Sequence, residues 1–185
     1  AFTPESVQGA LLVMLNAGIT TGGMFVLLGV LRTRLADGDT FAHLGGLART
    51  VPALGAALVL LVLANVGLPG TNGFVGEFLV LLGAYRPYPL FVLVATIGVI
   101  LAAAALLRAV QRTLFGPRAP DAPAVRDLSR REGAVLGAFA LVIIVLGLAP
   151  TPMLDRVKSA TTRLMQTVDA GRTALESPAM PVGMR

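Results

Sequence analysis

Long apolar stretches separated by short polar connectors dominate the chain. Four of them are long enough to be candidate membrane spans. They run roughly from Val7 to Leu31, Val51 to Ala84, Leu90 to Leu107 and Gly133 to Leu148. A helix that crosses a bilayer needs about 20 apolar residues. The first stretch fits with some tilt, and the last two fit once their ends are included. The pattern predicts an all-α membrane protein with about four transmembrane helices.

The second stretch is too long for one straight helix. Its 34 residues, 51–84, would extend more than about 50 Å at the usual helical rise. They contain a cluster of helix-breaking and polar residues, namely Gly67, Pro69, Gly70, Asn72 and Gly73. Because proline removes a backbone donor and glycine weakens a helix, we predict a helix to about Val66, a non-helical link, and a second helix from about Phe74. Unwound backbone at membrane depth must be buried in protein or line a watery cavity.

Glu77 is the one acidic residue inside this broken stretch. A carboxyl group at hydrocarbon depth costs several kcal/mol, so it is rarely present without a task. We expect it in the first turn of the second half, where the helix dipole favours the carboxylate while burial favours the neutral acid. These opposed effects suit proton transfer, and Glu77 is the candidate catalytic residue. The alternative is a re-entrant segment with Glu77 at the membrane interface.

Polar and small residues also occur within the first stretch. Gly18, Gly22 and Gly29 would let a neighbouring helix approach closely. Asn16 is polar at membrane depth, and the interpretation that we favour is an interhelical hydrogen bond. A role in an ion pathway remains open for a set of polar-path or helix-break residues: Asn16, Thr20, Thr21, Gly67, Pro69, Gly70, Asn72 and Gly73.

The pattern divides the chain into a transmembrane region, residues 1–152, and a tail, residues 153–185. Pro150 and Pro152 end the fourth stretch. Beyond them, apolar residues recur at near-helical spacing among charged ones, which predicts an amphipathic surface helix. The last residues, SPAMPVGMR, are predicted to be disordered. The chain begins Ala-Phe-Thr-Pro without Met or a signal peptide, so we expect it to be a piece of something longer or a processed product.

Composition supports the membrane class. Of the 185 residues 55% are hydrophobic and 14% charged, whereas soluble domains average about 25% charged. The absence of cysteine excludes disulfides and thiolate metal sites within the chain. His43 is the only histidine, and a solvated loop side chain is favoured over a metal ligand. No metal or cofactor is predicted. The net charge of +5 is better explained by loop arginines at a membrane than by nucleic-acid binding.

The distribution of Lys and Arg predicts the orientation. The first and third connectors hold nine: Arg32, Arg34, Arg49, Arg108, Arg112, Arg118, Arg126, Arg130 and Arg131. The opposite side holds six of the 15, five of them in the long tail. Because short loops count most, we predict that the first and third connectors are cytoplasmic and that the C-terminus is periplasmic, in a multi-pass protein of the bacterial inner membrane.

Several segments in order resemble one family. The run GLPGTNGFVGEFLVLLGAY resembles the broken-helix signature of the antiporter-like subunits of respiratory complex I, NADH:quinone oxidoreductase. Further matches are LNAGITTGGMFVLLG, RAVQRTLFGP and LGLAPTPML. Related subunits and sodium/proton antiporters typically carry lysine where this chain has Glu77, so GEF rather than GKF points to the subunit-4 type, called NuoM in bacteria.

The resemblance implies that the chain is the C-terminal part of a proton-translocating subunit, comprising its last four helices. Glu77 is then the terminal ionisable residue of a buried polar axis, exchanging protons with water towards the periplasm or the next subunit. Family members often have a histidine where this chain has Ala17, so a histidine-dependent path is in doubt. The implied partners are the other membrane subunits of complex I, neighbouring antiporter-like subunits, the missing N-terminal helices and the lipid bilayer.

Two other functions stay open. A cation/proton antiporter or a membrane-bound hydrogenase subunit would use the same fold, and the chain would also suit a structural membrane scaffold left from a truncated gene. Glu77 argues for the complex I interpretation, since a scaffold has no use for a carboxyl group in the bilayer. The chain has no redox motif of its own, so it would serve NADH:quinone oxidoreductase only as a membrane subunit.

Overall fold

The computed structural model describes residues 3–34, 45–117 and 126–176. Within these ranges every regular element is helical: α1 (Pro4–Arg32), α2 (Leu47–Thr50), α3 (Pro52–Asn65), α4 (Asn72–Tyr85), α5 (Pro89–Phe115), α6 (Arg130–Leu148) and α7 (Thr151–Glu176). The predicted all-α fold is confirmed. His43 and the last nine residues, for which we predicted disorder, lie outside the described residues.

The predicted break in the second of the four apolar stretches is also confirmed. Helices α1, α5 and α6 are long and apolar enough to cross a membrane, whereas α3 and α4 are apolar but have only 14 residues each. Fourteen residues rise about 21 Å, which is less than a hydrocarbon core of about 30 Å. Only together do α3 and α4 have the length of a fourth span.

The two halves of the broken span begin and end close to the predicted residues, with one correction. Helix α3 ends at Asn65, and α4 begins at Asn72 rather than Phe74. Glu77 therefore lies in the second turn of α4, and the first turn contains no acidic residue. The earlier start arises because Thr71 is the extended N-cap residue and Gly73, unlike Gly67 and Gly70, has no positive φ, so Asn72 and Gly73 both continue as helix. The four-residue helix α2 was not predicted.

Local sequence fixes several helix starts. Thr3 and Ser6 form a capping box at the start of α1, with Pro4 at the first helical position. Ser129 and Glu132 form the same arrangement at the start of α6. A proline also opens α3 and α5, where its fixed φ suits the first turn and its missing N–H leaves no bond unmade.

Helix α1 packs along both halves of the broken span. Its first half runs antiparallel to α4, where a methyl group on Gly9 would come within 2.6 Å of the Val80 nitrogen. Its second half packs on α3, where a methyl group on Gly23 would come within 2.7 Å of Leu61 Cδ2. Small residues permit such close helix packing in membranes. The break between α3 and α4 therefore lies beside the middle of α1, near Asn16.

The glycines that allow this packing differ from those that we expected. Of the predicted set, Gly22 lies in ordinary contact with Phe139 of α6, whereas a methyl group on Gly18 or Gly29 would meet nothing within 4 Å in the described part of the chain. The seam uses Gly9 and Gly23 because these residues lie on the side of α1 that faces α3 and α4. Sequence spacing alone does not reveal which side that is.

Two clusters of buried apolar side chains hold the helices together. One joins the ends of α1 and α5 to α2 and α3, through Leu31, Leu47, Val51, Leu54, Val62, Val110 and Leu114. The other joins α1, α3 and α6, through Leu27, Leu61, Ala64, Leu136 and Ile143. Apolar residues of α5 such as Ile100 and Leu101 are exposed, which suits a helix whose surroundings are lipid or other membrane helices.

The predicted amphipathic helix of the tail is confirmed as α7. It follows α6 after a short turn and packs against α1. Met153 and Val157 line a groove together with Leu11 and Leu15 of α1. Charged residues such as Lys158 are exposed. The helix therefore presents an apolar side to the bundle and a charged side outward.

Candidate functional site

The link between α3 and α4 is a tight turn held by local hydrogen bonds. Gly67 and Gly70 have φ angles of 72° and 94°, which glycine adopts without the strain that a side chain would bring. The N–H of Leu68 donates to the Leu63 carbonyl at 3.0 Å, and Thr71 donates to the Leu68 carbonyl from its N–H and from its hydroxyl. These bonds give the unwound backbone local hydrogen-bond partners, as a break within a membrane span would require.

The carboxyl group of Glu77 lies against this link. A methyl group placed on Gly67 would come within 2.5 Å of Glu77 Oε2 and 3.0 Å of its Cδ. Helical side chains lean towards the helix N-terminus, so a residue in the second turn of α4 reaches back to the break. The carboxyl group therefore occupies space that exists only because residue 67 has no side chain.

The last turn of α3 and the first turn of α4 lie side by side. A methyl group on Gly73 would come within 2.6 Å of the Ala64 carbonyl oxygen. At the same place Gly147 of α6 packs so tightly on the backbone of Gly70 and Thr71 that no methyl group would fit. The inner side of the break thus contacts α1, α6 and its own two halves, while Leu68 and Pro69 are exposed.

A cavity of about 70 Å³ opens between α1 and the break, which is large enough to hold water. Its lining combines the Glu77 carboxyl group with polar side chains and a few apolar ones: Val13, Asn16, Ala17, Thr20, Ala64, Asn65, Gly73 and Glu77. Within the described part of the chain, no basic side chain forms an ion pair with Glu77. Water and amide or hydroxyl groups are therefore the available neighbours for this carboxyl group.

Buried amide groups connect α1 to the entrance of α4. Asn16 Nδ2 donates to the Asn72 carbonyl, and Asn72 Nδ2 donates to the Asn16 carbonyl at 3.5 Å. The Thr20 hydroxyl donates to the Asn16 carbonyl at 3.0 Å. The interhelical hydrogen bond that we favoured for Asn16 is present, and the same side chain also lines the cavity. The two interpretations of Asn16 are compatible.

The structure brings together most of the polar-path and helix-break residues proposed from sequence. Asn16, Thr20, Gly73 and Glu77 line one cavity. In addition, Gly67 contacts Glu77, and Asn72 pairs with Asn16. Besides Gly67 and Asn72, which adjoin the cavity through these contacts without lining it, three further residues of the predicted set do not line the cavity. Thr21 and Pro69 are exposed, and Gly70 faces Gly147 of α6.

Sequence reasoning missed Asn65, which is the last residue of α3 and lines the cavity. Its Nδ2 donates to the Leu61 carbonyl at 2.9 Å. The available signal was a lone amide at the end of an apolar run, beside a predicted break. Ala17, where the resemblance places a histidine, also lines the cavity and contributes no ionisable group.

Nothing in the described ranges resembles a metal centre, because no three His, Asp or Glu residues cluster there. The other end of the bundle carries a polar network of a different kind. Arg34 forms an ion pair with Glu132, and Asp127 accepts hydrogen bonds from the N–H groups of Ala53 and Leu54, each at 3.0 Å. This network joins helix ends and leaves the cavity at the break as the candidate site.

Comparison with known proteins places this geometry in a family. A sequence model described as NADH:quinone oxidoreductase/Mrp antiporter, TM, matches residues 1–102. NADH-quinone oxidoreductase subunit M of Rhodobacter capsulatus is 35% identical over 171 residues, which cover 92% of this chain and 33% of that protein. The subunit M of Pseudomonas aeruginosa is 34% identical over 170 residues, which cover 92% of this chain and 33% of that protein. The chain therefore spans about one third of the length of these curated relatives.

Solved structures agree with the sequence comparison. A chain of respiratory complex I from Thermus thermophilus with bound NADH matches with a TM-score of 0.78 and 36% identity, over 88% of this chain and 35% of that one. A chain of the Mrp complex from Dietzia sp. DQ12-45-1b matches with a TM-score of 0.77 over 88% of this chain and 38% of that one, and its 19% identity supports the fold alone. The broken helix, the order of the spans and these similarities lead to one conclusion: the chain belongs to the NADH:quinone oxidoreductase/Mrp antiporter transmembrane family.

Proposed function

We propose that the chain is the C-terminal part of a proton-translocating membrane subunit of NADH:quinone oxidoreductase, similar to subunit M. The observation that carries the proposal is the place of Glu77, whose carboxyl group lies against Gly67 at the helix break and lines a cavity with amide and hydroxyl groups. A carboxyl group at this depth is expected to move protons rather than to stabilise the fold.

Glu77 takes a proton from cavity water and returns it when its surroundings change. The carboxylate is favoured while a positive charge lies nearby, and the neutral acid is favoured when that charge leaves. The described residues supply no such cation, so the change in charge comes from another part of the subunit. The chain holds no redox group in this scheme, and it contributes the site of proton exchange to a larger enzyme.

The wider setting follows from the same proposal. The subunit lies in the bacterial inner membrane, with the first and third connectors in the cytoplasm and α7 on the periplasmic side. Its partners are other membrane subunits of the complex, including neighbouring antiporter-like subunits, and the lipid bilayer. The exposed apolar residues of α5 support such surroundings, because they have no counterpart within the described chain.

The test is Glu77→Gln in the complete complex, reconstituted into liposomes. We expect proton transport and the NADH:quinone activity coupled to it to fall by about tenfold or more, since glutamine cannot exchange a proton. Glu5→Gln is the matched control, because Glu5 is an exposed residue in the first turn of α1. Transport that survives Glu77→Gln at the wild-type rate would rule out the proposal.

A cation/proton antiporter is the second candidate, supported by the fold shared with the Mrp complex. The 36% identity to the complex I chain against 19% to the Mrp chain favours the first candidate. The resemblance also associates antiporters with lysine at the position of Glu77. Proton movement driven by a sodium gradient, without NADH or quinone, would favour the antiporter.

A further inference from the structure

Two amide oxygens at the helix break have no hydrogen-bond partner. Asn16 and Asn72 are 5% and 1% exposed, and each directs its Nδ2 to the other's backbone carbonyl. This arrangement leaves Asn16 Oδ1 and Asn72 Oδ1 buried and unpaired in the described part of the chain. A buried acceptor without a partner lowers the stability of the fold. We therefore expect each of these oxygens to accept a hydrogen bond from a donor.

No neighbouring donor within the described residues forms a hydrogen bond with either oxygen. The Thr20 hydroxyl donates to the Asn16 carbonyl, and Asn65 Nδ2 donates to the Leu61 carbonyl. A Glu77 carboxylate has no proton to donate. Asn16 lines the cavity beside Glu77, which is large enough for water, so cavity water is the candidate donor for its amide oxygen.

We propose that Asn16 and Asn72 are positioning residues that hold ordered water at the helix break, and that the water on Asn16 is the partner with which Glu77 exchanges its proton. The inference rests on the proposed function. Ala17, which also lines the cavity, offers no proton carrier. The amides do not titrate, and they act by fixing where the water stands.

A bound sodium ion would also satisfy amide oxygens, but part of the lining supplies no ligand. Hard cations in proteins take about six or more oxygens, from protein groups and waters together. Val13 and Ala17 are apolar, and the Ala64 carbonyl is covered by Gly73. Water, which needs only two to four polar partners, fits this cavity better than a bare cation.

The experiment compares Asn16→Leu with Asn16→Ala in the complete reconstituted complex. Leucine fills the volume of asparagine and accepts no hydrogen bond, whereas alanine leaves room for a further water molecule. We expect Asn16→Leu to slow proton transport by about tenfold and Asn16→Ala to retain most of it. If Asn16 only fastens the helices, leucine would serve as well as alanine or better, and that result would overturn the proposal.

Two further arms keep the test decisive. Asn72→Leu preserves the bond from Asn16 Nδ2, because its acceptor is the backbone carbonyl, so it removes an amide oxygen without removing that bond. Infrared difference spectra in H₂¹⁸O should show a water band that is lost in Asn16→Leu and Asn72→Leu. The control is Thr96→Val, because the Thr96 hydroxyl donates to the Val92 carbonyl within α5. An unchanged water band in both leucine variants would contradict the proposal.

The same variants distinguish a sodium site from a water site. They also distinguish a failure of this inference from a failure of the proposed function. Wild-type transport that requires sodium, with the requirement lost in Asn16→Leu, would replace the water by a cation site. If Glu77→Gln abolishes transport while Asn16→Leu leaves it intact, the inference about the asparagines fails and the proposed function stands. If Glu77→Gln leaves transport intact, the proposed function fails first.

Discussion

At the scale of single residues, the site depends on what Gly67 lacks. Its φ of 72° strains any side-chain-bearing residue, and a Cβ there would collide with the Glu77 carboxyl group. Gly70 has a φ of 94° but would meet nothing within 4 Å among the described residues. The two glycines therefore separate the cost of backbone strain from the cost of displacing Glu77.

We expect Gly67→Ala and Gly70→Ala each to lower the free energy of unfolding by about 1–3 kcal/mol, because both place a side chain at positive φ. Only Gly67→Ala should also reduce proton transport, since it alone pushes the Glu77 carboxyl group out of its place. Thermal unfolding in detergent and transport in liposomes measure the two effects. Equal loss of transport in both variants would show that the turn, rather than the contact with Glu77, is what matters.

At the scale of the helices, α3 is capped by a residue far away in sequence. Its N-cap residue is Val51, which has no polar side chain to offer. Asp127, just before α6, accepts hydrogen bonds from Ala53 and Leu54 instead. Partial burial raises the pKa of Asp127, but the N–H groups of Ala53, Leu128 and Leu54, together with Arg34, hold that pKa below its usual range.

The pH dependence of stability follows from this lowered pKa. A carboxyl group whose folded-state pKa is depressed adds stability above its unfolded pKa of about 3.9 and loses it as the pH falls through the folded value. We expect Asp127→Ala to cost about 1 kcal/mol near pH 7, as for other lost caps, and little once the pH lies below both values. Thermal unfolding of wild type and variant across that range measures the difference.

The control for this prediction is Asp155→Asn, because Asp155 is exposed on α7 and away from the start of α3. Its effect on stability should be small at every pH. A cost of Asp127→Ala that stays constant from pH 7 to pH 3 would contradict the role of the charged form in capping α3.

At the scale of the whole molecule, α1 lines up the two halves of the broken span and sets the depth of the break. The Arg34 network gathers the start of α3, the start of α6 and the end of α1 at one end of the bundle. Asn16, near the middle of α1, lies level with the break. Glu77 reaches the same level, because its carboxyl group lies against Gly67 at the break.

The orientation across the membrane is testable because the chain has no cysteine. Thr33→Cys lies at the end of α1, and Ser159→Cys lies on α7, and both native residues are exposed. A membrane-impermeant maleimide should label Thr33→Cys from the cytoplasmic side, in inverted vesicles, and Ser159→Cys from the periplasmic side, in right-side-out vesicles, as the arginine distribution predicts. The opposite pattern would reverse the proposed topology.

Much of this protein can be read from its sequence, because the bilayer imposes simple rules. Apolar length gives the number of spans, and glycine and proline give the break within the second one. Glu77 is conspicuous because charge is rare at that depth. The chain alone therefore determined the fold class, the broken helix and the residue on which the proposed function rests.

Only the tertiary structure decided which residues share the site. The antiparallel packing of α1 on α3 and α4 pairs Asn16 with Asn72 and brings Asn65 into the cavity while leaving Thr21 outside. The same packing sets Gly9 and Gly23 into the seam instead of Gly18 and Gly29. The cap on α3 from Asp127 is equally invisible in the sequence. Such contacts join distant segments, and the side of each helix that faces its neighbour depends on packing that no local pattern encodes.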